Sequence, residues 1–92
     1  MEKSIFTREY AAFLRQLRAE RKQAQLTQAM LAKRIGQTQS FVSKCERGER
    51  RIDIVELRAF CKAIGISYTG FVRKFDIALG GREPSRKVTR SK

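Results

Sequence analysis

Leu26-Thr27-Gln28-Ala29-Met30-Leu31-Ala32-Lys33-Arg34-Ile35-Gly36-Gln37-Thr38-Gln39-Ser40-Phe41-Val42-Ser43-Lys44-Cys45-Glu46-Arg47-Gly48 has the spacing of two short helices joined by a tight turn. Thr27 can cap the first helix, whose inner face is Met30, Leu31 and Ile35, with the small Ala32 turned toward the next helix. Gly36 is the expected stop, because glycine takes the left-handed backbone conformation at little cost. Thr38 can cap the second helix, which should run to about Glu46. Only Phe41, Val42 and Cys45 are apolar in it, so Gln39, Ser40, Ser43 and Lys44 must lie outward or at its edge. Two helices so arranged let one lie across a DNA backbone while the next enters the major groove.

Upstream, Thr7 is placed to cap a first helix, with Glu9 in its first turn. Tyr10, Phe13, Leu14 and Leu17 form its apolar stripe, which fades so that the helix ends near Gln23 or Ala24. Downstream, Arg47-Gly48-Glu49-Arg50-Arg51 is a polar loop, and Asp53 caps a fourth helix with Ile54, Leu57, Phe60, Cys61 and Ile64 inward. Gly65 ends it. Ser67 then caps a fifth helix, with Phe71, Val72, Phe75 and Leu79 expected inward. No segment alternates with a period of two, so the expectation is all-α: five helices over residues 1–81, with the two-helix unit at about 27–46. Residues 82–92 carry five basic side chains and almost no apolar ones, and are expected to be a disordered tail.

Ninety-two residues accommodate one small domain and that tail. Lys and Arg number 21 against 9 acidic residues, a formal charge of +12, and the natural counterpart of such an excess is a polyanion. No apolar run reaches the roughly 18 residues of a membrane span, and residues 1–6 do not lead into a signal-peptide core, so a cytoplasmic protein is expected. Cys45 and Cys61 fall at apolar helix positions and read as buried free thiols in a reducing compartment. Without histidine, and with two cysteines only, a zinc finger is excluded; neither metal nor cofactor is expected. No nucleophile–base pair, Gly-rich phosphate loop or carboxylate cluster suggests an enzyme.

Arg21, Leu26-Thr27-Gln28, Leu31-Ala32, Ile35-Gly36, Ser40, Val42-Ser43, Glu46-Arg47-Gly48, Ile52-Asp53 and the stretch from Leu57 to Gly65 come in a characteristic order and spacing. Through them the chain resembles the phage repressor and Cro family of helix-turn-helix regulators, the XRE family, over about residues 10–76. The resemblance implies a five-helix lambda-repressor-like domain. It implies that Gln28, beside Thr27, holds a backbone phosphate at the start of the second helix. Gln39, Ser40 and Lys44 match the base-reading positions, Gln being suited to adenine and Lys to guanine, while Ser43 lies nearer the edge. Thr38 is expected both to cap its helix and to touch a phosphate or a thymine methyl. Arg21 and Glu46 would form an ion pair locking the reading helix to helix one. Arg47, Arg50 and Arg51 follow that helix, where the loop should run along the sugar-phosphate backbone. Ile52 stands near where the family often has proline, and Phe41 reads as packing rather than as a base-stacking residue.

The main functional expectation is a sequence-specific regulator of transcription binding double-stranded DNA, acting as a repressor. A weak or DNA-assisted homodimer through helix five (Phe71, Phe75, Ile77, Leu79) is expected, since many family members bind paired half-sites; the alternative is that all four complete the monomer core. The rival is an antitoxin-type protein that also holds a partner protein; non-specific packaging of nucleic acid is a third reading. The tail either follows phosphates or a minor groove, or serves only as a solubilising end.

Overall fold

The computed structural model describes residues 5–81, with side chains from residue 7 onward. It consists of α1 (Ile5–Gln23), α2 (Gln28–Arg34), α3 (Gln39–Glu46), α4 (Ile54–Ile64) and α5 (Tyr68–Ala78), with no strand among the described residues. The all-α five-helix expectation holds. Short polar side chains start four of the helices by accepting a backbone N–H of the first turn. Thr27 Oγ1 accepts from Met30 N at 3.0 Å and Thr38 Oγ1 from Phe41 N at 3.1 Å. Ser67 Oγ accepts from Gly70 N at 2.9 Å. At α4 the cap is reciprocal: Asp53 accepts from Glu56 N at 2.7 Å, and Glu56 accepts from Asp53 N at 3.0 Å. Gly36, at φ +72°, makes the turn between α2 and α3; the space around its Cα is open, so dihedral freedom is what the site requires.

Every helix contributes to one core. Leu17 of α1, Leu31 of α2, Val42 and Cys45 of α3, and Phe60 and Cys61 of α4 are fully buried at its centre. Phe71 of α5 packs edge-on against Phe13 at 6.0 Å. Burial of each large side chain contributes roughly 1.5–3 kcal/mol, and together these hold α3 against the other helices. Tyr10 reaches from α1 to the loop before α4, where its hydroxyl accepts from Ile52 N at 3.0 Å.

Several expectations fail at helix ends and edges. Thr7 does not start α1, which begins at Ile5; an interior threonine costs too little to impose a boundary. Met30 is exposed, because Gln28, Leu31 and Ala32 of this seven-residue helix, with Ile35 just past its end, share one side and Met30 lies opposite them. Ile54 is 67% exposed: it is the first residue of α4 and overhangs the core. Val72 and Leu79 are exposed, Leu79 lying just past the end of α5. Phe71, expected at a dimer face, is core instead. The expected tail lies outside the described residues.

Candidate nucleic-acid interface

Val42 and Cys45 anchor α3 inward, and Phe41 lies half-buried with its ring 6.5 Å from that of Phe60. This fixes which face remains outside. Gln39, Ser40 and Lys44 are exposed there, and none of their side chains hydrogen-bonds to another described residue. Thr38, which caps the helix, is exposed beside them. Ser43 is half-buried, and its hydroxyl accepts a hydrogen bond from Arg47 Nη1.

The far end of α3 is held by a polar cluster. Arg21 and Glu46 are both buried and meet side-on, Nε to Oε2 at 2.6 Å and Nη2 to Oε1 at 3.0 Å. Arg21 Nη1 also donates to the Leu26 carbonyl at 2.7 Å, and Gln28 Nε2 donates to Glu46 Oε1 at 3.0 Å. Arg18 Nη1 donates to the Glu46 main-chain carbonyl at 3.3 Å, satisfying an end group of the helix with a cation. The loop before α2, the start of α2 and the end of α3 are thus tied to α1 through two arginines and one carboxylate. Gln28 has one amide proton committed to Glu46 and a second available.

The arginines after α3 are engaged within the protein. Arg47 pairs with Glu49 at 2.8 Å. Arg50 forms a two-pronged pair with Glu56 at 2.9 and 2.7 Å, and lies over the Phe41 ring at 4.7 Å. Arg51 lies over the Tyr10 ring at 4.3 Å. The hydrogen bond from Arg47 holds the Glu49 carboxyl below its ordinary value, and that from Arg50, helped by Asp53 N–H, does the same for Glu56. Sequence reading missed these partners. Glu56, three residues after Asp53, was the one visible clue, as a capping-box position.

Cys45 and Cys61 are buried free thiols. Burial raises both, Cys61 to about 11, so neither is a nucleophile at neutral pH. Among the described residues no group of His, Cys, Asp or Glu is placed to hold a metal ion, and no helix is long and apolar enough to cross a membrane.

A helix-turn-helix family model matches residues 17–71. The solved structure of an XRE-family like protein from Pseudomonas syringae pv. tomato str. DC3000 is similar with a TM-score of 0.77 and 40% identity, over 80% of this chain and 90% of that one. The chain belongs to the XRE family of helix-turn-helix proteins. No curated protein matches it significantly. XRE-family proteins are DNA-binding regulators of transcription, generally without enzymatic activity, and their partner is double-stranded DNA. The matched residues include all of α2 and α3, the two helices joined by the turn at Gly36.

Proposed function

We propose that this XRE-family regulator is a sequence-specific repressor acting in the cytoplasm, reading the major groove with Gln39, Ser40 and Lys44. One observation carries the reading: these three side chains face outward with no hydrogen-bond partner among the described residues, on a helix whose far end is locked by a buried ion pair. Polar groups without protein partners on a rigid support suit base readout, because bidentate hydrogen bonding requires a fixed approach. Ser43 joins them when Arg47 releases its hydroxyl to hold a phosphate. Thr27, Thr38 and the second amide proton of Gln28 supply phosphate contacts at the starts of α2 and α3. Arg47, Arg50 and Arg51 add sequence-independent attraction, Arg47 and Arg50 by exchanging a carboxylate for a phosphate. Two copies pair through α5, using its exposed Val72 and Ile77, the exposed Leu79 just past its end and the half-buried Phe75; Phe71 is excluded because it is core.

The test is selection of binders from a random duplex pool near physiological salt. Enrichment of a motif, arranged as an inverted repeat, supports readout by a dimer; an unenriched pool overturns it and favours non-specific packaging. Gln39→Ala should remove ~1–3 kcal/mol of preference for the enriched site and leave random-DNA binding nearly intact. Equal losses on both DNAs would remove Gln39 from the reading set.

A further inference from the structure

The outer face of α1 carries cations that no acid among the described residues pairs with. Arg8, Arg15 and Lys22 are exposed at intervals of seven residues, a row of roughly 21 Å at 1.5 Å per residue. None of the three forms an ion pair or side-chain hydrogen bond with another described residue. Their helical neighbours explain why: the positions three and four away on the described part of α1 hold only Ile5, Ala11, Ala12, Arg18 and Ala19. A glutamate at any of these positions would have offset part of that charge and stabilised the helix. Glu20 of α1 reaches Lys74 of α5 at 2.9 Å instead.

The row adjoins the end of the reading helix. Arg47, which donates to Ser43, lines a depression of about 280 Å³ with Thr7, Ala11, Leu14 and Arg51. A second depression lined by Thr7, Arg8, Ala11 and Arg15 shares two of those residues. A basic surface therefore runs from Arg47, whose charge is shared with Glu49, through Arg51 onto α1. Between the loop arginines and Arg8 and Arg15 lie Thr7 and Ala11, both small enough to let a backbone approach closely.

We infer that this face of α1 tracks the phosphate backbone of the duplex beyond the segment reached by α3. The inference rests on the DNA-binding reading above and extends its footprint. A strand of B-DNA carries one charge per roughly 3.4 Å of axis, so a 21 Å row spans about six phosphates and each cation can find one. The contact is sequence-independent. It holds the protein on flanking DNA and sets how far from the read bases the duplex is occupied.

The experiment compares two doubly substituted proteins of equal net charge on one arbitrary duplex of about three helical turns, ~30 base pairs. One is R8Q/R15Q; the other is R58Q/K62Q, which removes an exposed basic pair from α4. Glutamine keeps helix propensity, and circular dichroism verifies folding. Binding is measured against salt concentration. The expected result for R8Q/R15Q is a slope of log affinity against log salt reduced by roughly two and affinity lowered about tenfold, with R58Q/K62Q near the parent protein. Equal behaviour of the two variants, or an unchanged slope for R8Q/R15Q, overturns the inference while leaving base readout standing. Failure of the parent protein to bind any duplex overturns both.

Discussion

Arg21 and Arg47 show how much the surroundings of one ion pair decide. Arg21 and Glu46 lie inside the protein with side chains 8% and 2% exposed; Arg47 and Glu49 are each 54% exposed. Truncating either buried partner leaves the other charge without compensation, so Arg21→Ala should cost on the order of 3–5 kcal/mol in urea denaturation. Glu49→Ala should leave the midpoint nearly unchanged, because water already solvates both groups. The thiols give a pH prediction. Cys61 is raised to about 11 from an ordinary 9.0, so between those values the folded state retains a proton the unfolded state loses. Its contribution to stability is therefore full below pH 9 and fades as pH rises toward 11, measurable as a falling melting temperature that Cys61→Ala flattens. The positions of Arg21 and Glu46 could be read from family resemblance. Arg50 with Glu56 could not, because a loop folds between them and sequence spacing does not encode its path.

Helix starts were legible because a cap acts within three residues: Thr27, Thr38, Asp53 and Ser67 each sit where the sequence put them. Helix faces were less legible. Periodicity gives the direction of an apolar stripe but not where the neighbouring helix stops, which is why Ile54 and Met30 were misjudged. The α1–α2 connection hid its own requirement, since Gln25 adopts φ +62° and nothing in a glutamine signals it. Gln25→Asn should raise stability by up to ~1 kcal/mol, as asparagine tolerates that conformation better. The start of α4 has two functions: Glu56 completes the cap and also receives Arg50. Asp53→Ala should cost ~1 kcal/mol by thermal unfolding. Ile52 stands near the family's frequent proline, and its N–H bonds to Tyr10, a bond proline could not make. Tyr10→Phe should therefore loosen this loop and speed amide exchange at Ile52.

Over the molecule as a whole, exposed apolar side chains stand at the start of α4 and along α5. Ile54, Val72, Ile77 and Leu79 stand out from the core, and a groove of about 320 Å³ lies between Ile54, Leu57, Tyr68 and Phe75. On the proposed pairing, Ile77→Asp should shift sedimentation from dimer to monomer and leave the melting temperature of dilute protein almost unchanged, since Ile77 is 47% exposed. No sequence pattern distinguishes such a face from incomplete core, because both need the same residue types. Glu46 carries a last consequence. With one carboxylate bonded at once to helix one and to the start of α2, the binding surface is assembled before DNA arrives. Association then has little chain ordering to accomplish. In a calorimeter its heat-capacity change should be small and accounted for by the contact area alone, without the large negative excess that accompanies coupled folding.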